Sequence, residues 1–363
     1  MPVTDYRTIW LLLGHRRGDN AQVLALGRKL AKRLRGQGVE ARLEEKQLAW
    51  NALRVVPNLL LPPTLKILPA HARRQFEPPW PDVVIGVGRR AVPVARWIQR
   101  RNENARIIWL GRPRAPLCWF DMVLSTPQYG LPRESNVVML DLPPVLPAET
   151  DERELARWRE KFSGLPRPLM GVLVGGAHWP LRFDARDAKK LGQDVFSLIS
   201  EIGGGWVVST SPRTGSRQAR VLHEVLGAPS RFYYWRENGQ HNNPHRALLR
   251  LADCFVVTSD SASMIAEAVL SGKQVFLFDL QRQRPWLTWR TDHGIMRWLA
   301  VRGVLSPPRD MRALCQGLVA RGLAQWLHPR AMDADACGEK NAPRGERELE
   351  EALARIESWL VAK

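Results

Sequence analysis

Ser259, Asp260, Ser261 and Ser263 follow a strand-like run, Val256-Val257-Thr258, and lead into Glu267, which stands between two alanines. A hydroxyl-rich turn at a helix N-terminus is a site for phosphate or another anion, because unpaired amides and the helix dipole converge there. Ser263 and Glu267 are four apart and share a helix face, which sets a hydroxyl and a carboxylate on one edge. A carboxylate accepts two hydrogen bonds at once and so suits the hydroxyls of a ribose. The chemistry predicted is the holding of a nucleoside-diphosphate donor. Ser261 also fits a plain N-cap, and Glu267 a solvated helix acid.

Other parts of such a site are present in the same half of the chain. Gly175-Gly176 would let backbone amides come close to a phosphate or to the acceptor. Ser211-Pro212-Arg213 supplies a hydroxyl and a fixed positive charge in place of a metal. Trp235, at a predicted strand end, would border a base or fill core. Sugar transfer also needs a base for the acceptor hydroxyl. Asp19 is the first candidate and His15 the second, although Asp19 or Asn20 would equally cap the helix that follows. Gly18, Asn20, Gln22, Arg89, Arg112, Gln128 and Tyr129 complete a predicted acceptor or cleft set. No DxD pair stands on a strand-end loop, so neither a metal-bound diphosphate nor another cofactor is predicted. The loop at 14–20 is neither a Walker loop nor a dinucleotide fingerprint, and GxSxG and HExxH motifs are missing. His241 and His245 carry no ligand spacing.

These residues must be positioned by an α/β framework. Strands are predicted over 8–13, 82–87, 106–110, 120–124 and 136–140, each followed by a polar loop. A helix from 21 to about 35 carries the apolar stripe Val23, Leu26, Leu30, Leu34 at helical spacing. Residues 51–79 mix leucine, proline and basic side chains, which fits either a membrane-facing loop or an insertion packed on its own domain. A stiff proline-rich linker follows near 141–147. The pattern then restarts, with strands over 169–174, 206–210, 231–235, 253–258 and 274–278 and helices over 151–162, 184–202, 216–226, 291–302, 309–323 and 347–361. Buried strands alternating with helices imply parallel sheets covered on both faces, which bind ligands beyond the carboxyl ends of their strands. The expected domains are 1–145 (acceptor), 165–325 (donor) and 326–363 (a flexible segment and a last helix), the two α/β halves facing across a cleft.

The chain has 363 residues, 45% of them hydrophobic, enough for two cores. Lys and Arg number 54 against 36 Asp and Glu, a formal charge of +18 that suits a phosphorylated ligand or an anionic membrane face. That charge is spread over both halves with no recognisable RNA or DNA module, so nucleic acid is not an expected partner. Four scattered cysteines suggest neither a disulfide framework nor a zinc site, and hence a reducing compartment. Neither a secretory segment nor a membrane span is predicted.

Gly18-Asp19-Asn20-Ala21-Gln22, Gly88-Arg89-Arg90, Gly111-Arg112-Pro113-Arg114, Thr126-Pro127-Gln128-Tyr129, Val174-Gly175-Gly176, Thr210-Ser211-Pro212-Arg213-Thr214 and Thr258–Met264 with Glu267 occur in this order. Together they resemble the mitochondrial fission Elm family, which has many bacterial members. The resemblance implies a GT-B-like α/β fold of two Rossmann-like domains, with the C-terminal helix crossing back to the N-terminal one. The expected function is metal-independent glycosyl transfer from a nucleoside-diphosphate sugar to a lipid-linked or cell-envelope glycan. The expected place is the cytoplasmic face of the inner membrane, on an anionic surface. The alternative is a non-catalytic membrane-associated scaffold or recruitment protein.

Overall fold

The computed structural model describes residues 6–146, 151–177, 179–228, 231–235, 243–280, 293–328 and 346–361. The chain divides into two compact units. Unit 1 comprises Met1–Val145, Thr288–Arg309 and Glu346–Lys363, and unit 2 comprises Leu146–Leu287 and Asp310–Gly345.

Unit 1 is built on a six-stranded parallel sheet in the order β2-β1-β3-β4-β5-β6. Its strands are β1 (Tyr6–Leu13), β2 (Glu40–Gln47), β3 (Val83–Val87), β4 (Arg106–Leu110), β5 (Met122–Ser125) and β6 (Val137–Met139). β1 is buried from Arg7 onward because both sheet faces are covered, which is why it reads as a continuous apolar run rather than an alternating one. Ile9, Leu11 and Leu13 face helix α1 (Arg17–Gly36), and Trp10 and Leu12 join the opposite core. The predicted stripe Val23, Leu26, Leu30 and Leu34 is buried against this sheet. Short helix α2 (Ala70–Arg73) and helix α3 (Val92–Gln99) contribute Ala72, Val92, Val94, Ala95 and Ile98 to the other face.

Unit 2 repeats the plan with order β12-β11-β10-β7-β8-β9, also parallel throughout. Here β7 is Leu169–Val174, β8 Gly205–Thr210, β9 Phe232–Tyr233, β10 Cys254–Thr258, β11 Gln274–Phe278 and β12 Gln325–Trp326. Its helices are α4 (Glu152–Phe162), α5 (Ala185–Ile202), α6 (Ser216–Leu226), α7 (His245–Leu251), α8 (Ala262–Leu270) and α10 (Met311–Ala320). Strand order reverses between β7 and β10, the switch point at which open α/β sheets present their crevice. α5 starts on a capping box: Asp184 accepts from the Asp187 amide at 3.0 Å, and Asp187 accepts from the Asp184 amide at 2.8 Å.

Several expectations change. The first helix begins at Arg17, not 21, with Arg16 at the N-cap and no side-chain cap, so neither Asp19 nor Asn20 caps it. Asn20 instead ties back the turn after β1, accepting from the Gly14 amide (2.8 Å) and donating to the Gly14 carbonyl (2.7 Å). Residues 40–47 were not anticipated as a strand, because Glu-Ala-Arg-Leu-Glu-Glu-Lys-Gln lacks an apolar face. It forms an edge strand whose charges protect the open edge. The strand expected over 231–235 covers only Phe232–Tyr233.

Thr288–Arg309, placed by sequence in the donor domain, belongs to unit 1. Within it lies helix α9 (Gly294–Val301). Arg297 there pairs with Glu134 at 2.7 Å, and Val301 packs on the core beneath α3. The last helix, α11 (Arg347–Val361), lies against α1 in unit 1 and buries Leu349, Ala352, Leu353, Ile356 and Leu360. Residues 236–242, 281–292 and 329–345, the last within the predicted flexible segment, lie outside the described residues.

Candidate functional site

The switch point of unit 2 is closed by its own residues. Asp260, just beyond β10, has no side-chain exposure. Its carboxylate accepts from the Gly176 amide (3.0 Å), the Thr258 hydroxyl (2.7 Å) and the Arg213 guanidinium (2.7 Å). Thr258 Oγ1 in turn accepts from the Gly175 amide at 2.8 Å. Burial pushes the Asp260 carboxyl up, against the pull of Arg213, the Gly176 amide and Thr258. A Cβ on Gly175 would collide with the Asp260 carboxylate, and one on Gly176 with the Arg213 backbone. The double glycine therefore makes room for an internal lock. Its amides are taken by Thr258 and Asp260, which corrects the expectation that they face a phosphate. Ser259 is likewise structural: it is buried, and its hydroxyl accepts from the Leu280 amide at 2.9 Å.

Beside this lock, toward β8, a cavity of about 490 Å³ opens. Thr210, Ser211, Trp235, His245 and Met264 are among the residues that line it. The volume falls in the range of small-ligand sites, about 300–1,000 Å³. Trp235 is held at its rim by a hydrogen bond from its amide to Thr210 Oγ1 (2.9 Å). The Ser211 hydroxyl accepts from the Arg213 amide at 3.2 Å, fixing the turn that carries the guanidinium. Glu267 does not line the cavity itself. It pairs with His245, Oε2 to Nε2 at 2.7 Å, and His245 lines the wall. His245 carries no ligand spacing in the sequence. Its partner is 22 residues away, on another helix. The local sign in the sequence is Asn243-Pro244, which reads as an N-cap and a first-turn proline; Pro244 itself holds the N-cap, and Asn243 accepts from the His245 amide at 2.9 Å. Ser261 holds the N-cap position of α8 without a side-chain cap bond, and Ser263 lies half-buried in the first turn. Of the predicted donor residues, Ser211 and Trp235 line this opening, Glu267 reaches its wall through His245, and Arg213, Ser261 and Ser263 are not among its lining residues.

In unit 1 the predicted residues also gather at strand carboxyl ends, with different duties. Asp19 is half-buried in the first turn of α1, with Gln22 one turn on, and Gly18 and His15 are exposed. Arg89 donates to the carbonyls of Arg54 (2.9 Å) and Val56 (3.4 Å), anchoring the 52–61 segment. Gly111, at φ +69°, lets β4 turn where a Cβ would lie 2.9 Å from the Tyr129 ring. Arg112 reaches Ser306 Oγ at 3.2 Å and the Pro307 carbonyl. Gln128 is buried. Burial pushes the Tyr129 phenol up, with Arg309 opposing and Asp19 adding to the rise.

The family model for mitochondrial fission ELM1 matches residues 17–339. The Arabidopsis thaliana mitochondrial fission protein ELM1 is 29% identical over 231 residues, 57% of this chain and 53% of its own length. The chain thus spans about half the length of that plant relative. An uncharacterized protein of Rickettsia prowazekii, RP120, is 23% identical over 311 residues, 74% of this chain and 82% of its own. Among solved structures, a glycosyltransferase from Rickettsia africae aligns over 98% of this chain and 99% of its own, with a TM-score of 0.50 and 11% identity. At that identity the likeness is one of fold: two six-stranded parallel units of the GT-B glycosyltransferase type.

Proposed function

This chain belongs to the mitochondrial fission ELM1 family, and from that premise we propose that it is a metal-independent glycosyltransferase whose unit 2 holds a nucleoside-diphosphate sugar. The carrying observation is the cavity beside β8, walled by Trp235 and by a His245 ring braced on Glu267. In this reading Trp235 borders the base. Glu267 and His245 together take the ribose hydroxyls, so the carboxylate acts partly through the imidazole. Arg213, Ser261, Ser263 and the N-terminus of α8 face the diphosphate and hold its charge as it leaves. An acceptor hydroxyl attacks the anomeric carbon, the bond to the diphosphate breaks, and Asp19 takes the hydroxyl proton, with His15 the alternative base.

Thermal unfolding in the presence of nucleoside diphosphates and their sugars tests the donor site. A ligand at one hundred times its Kd stabilises the folded state by about 2.7 kcal/mol. Glu267→Ala is expected to weaken that binding roughly tenfold, about 1.4 kcal/mol. The donor reading fails if no nucleotide raises the midpoint, or if Glu267→Ala and Trp235→Ala both leave the shift intact.

The acceptor proposed is a lipid-linked or envelope glycan at an anionic membrane face. Among the described residues no helix is long and apolar enough to cross a membrane. The segment after β2 nonetheless exposes Val55 (70%) and Leu60 (76%), next to Arg54. Apolar side chains beside cations suit an interfacial contact. Leu60→Asp is expected to reduce co-sedimentation with phosphatidylglycerol vesicles several-fold while leaving the unfolding midpoint in place. Equal sedimentation of the two proteins would remove this segment from the membrane contact.

A second reading, non-catalytic recruitment at a membrane, is favoured by the Gly175 and Gly176 amides, which are committed to the protein itself. It predicts partner capture that survives loss of both Asp19 and Glu267.

A further inference from the structure

The carboxyl ends of β1, β3 and β4 in unit 1 bring together several cations and one acid, Asp19, which pairs with none of them. Arg112 is largely enclosed, and its Nε and Nη2 are buried with no partner, while Nη1 alone is engaged by Ser306 and Pro307. The Arg309 guanidinium lies 4.9 Å from the centroid of the Tyr129 ring. Arg16 stands at the uncapped N-terminus of α1, whose helix dipole adds to the positive field. Arg90 follows β3 beside Arg89. Among the described residues, none of Arg16, Arg90, Arg112, Arg114 and Arg309 forms an ion pair.

The charges act on one another. Burial, together with Arg114 and Arg309, pushes the Arg112 guanidinium down to about 10. Burial and then Arg54, Arg89 and Arg16 push Arg90 down as well. A cation whose folded value is lowered is one the unfolded chain holds more readily, so at neutral pH these charges oppose folding. An anion seated among them would remove that penalty. Two further buried atoms without partners lie at the end of the neighbouring strand: Ser125 Oγ and Gln128 Oε1, in residues only 1% and 3% exposed. The choice of a phosphate rests on the guanidinium groups, since the Gln128 oxygen only accepts hydrogen bonds and has none to give an anion. The guanidinium fork fits two phosphate oxygens at once.

We propose that this arginine cluster is a phosphate-binding site of unit 1, and that the acceptor it receives is a phosphorylated one. The second half of that statement rests on the reading of unit 1 as the acceptor side; the anion site itself does not.

The test is titration calorimetry of the full chain with inorganic pyrophosphate at low ionic strength. Arg16→Gln/Arg309→Gln is expected to weaken binding at least tenfold, and Arg112→Lys, which keeps the charge and loses the fork, to weaken it less. Thermal unfolding of each variant establishes that it folds. Phosphatidylglycerol vesicles form the second arm. Loss of sedimentation in the same double variant assigns the site to a lipid headgroup, and retained sedimentation assigns it to a soluble phosphorylated group. Pyrophosphate binding that is unchanged in the double variant, or that disappears with Arg213→Ala instead, overturns the proposal. Nucleotide stabilisation is measured alongside. If pyrophosphate binding depends on Arg16 and Arg309 while no nucleotide binds, the anion site stands and the donor reading falls.

Discussion

Asp260→Ala is expected to destabilise unit 2 by about 3 kcal/mol or more, the cost of orphaning buried donors around a removed charge. The Gly176 amide and the Thr258 hydroxyl lose their acceptor inside the protein, at about 1–3 kcal/mol each. Arg213 keeps 38% of its side chain in solvent, so its own loss is the smaller share. Asp260→Asn should lose less, because an amide oxygen still accepts from Gly176. A double-mutant cycle makes the test sharper. Gly175→Ala drives a methyl into the Asp260 carboxylate, so it should be costly in the wild-type background and milder once residue 260 is alanine. Urea denaturation followed by unit-2 tryptophan fluorescence reads both. If Asp260→Ala falls within about 0.5 kcal/mol of wild type, the range of ordinary surface changes, the lock is not structural. A measured loss would also explain why the sequence carries an acid in a turn that faces a proposed anionic ligand: the acid belongs to the scaffold and orients Arg213.

The framework was legible because fully covered parallel strands are written as unbroken apolar runs. Arg106–Leu110, Leu169–Val174, Ser216–Leu226 and Arg347–Val361 lie where their patterns place them. Glu40–Gln47 was not legible, because a charged edge strand has no period to detect. The site was legible as a set of strand-end positions and not as a set of roles. Composition alone cannot tell whether a serine or glycine faces a ligand or a neighbouring strand, and Ser259, Gly175 and Asp260 all face inward. His245 escaped notice because its meaning comes from Glu267 on a separate helix. Arg309 was not legible because the chain returns to unit 1 through Thr288–Arg309, a path that local pattern does not encode, and Arg16, at the N-cap of α1, takes its meaning from cations distant in sequence.

Leu353→Ala is expected to cost about 2–5 kcal/mol of unit 1 stability, the range for opening a cavity at a fully buried leucine. Leu353 has no exposure and sits in one apolar cluster with Leu26, Leu30 and Leu34 of α1 and Ile9 and Leu11 of β1. Polar contacts also bind α11 here: Lys29 pairs with Glu346 at 2.7 Å, and Arg33 with Glu350 (2.7 Å) and Glu357 (2.8 Å). Those pairs are partly solvated, and such pairs contribute about 1 kcal/mol or less apiece. Arg33→Ala should therefore be the milder variant by a clear margin, and the ratio of the two decides whether packing or charge docks the helix. Hydrogen exchange gives the second readout. Amides of α1 and α11 should lose protection together in Leu353→Ala, because each helix buries its apolar stripe partly on the other. Free exchange of α11 amides in the wild type, or a Leu353→Ala loss no larger than that of Arg33→Ala, would contradict the docking. The consequence reaches the proposed base. Asp19 stands in the first turn of α1, so a helix from the far end of the chain helps fix the element that carries it. Loosening that seam should then disturb acceptor-side function without touching nucleotide binding in unit 2.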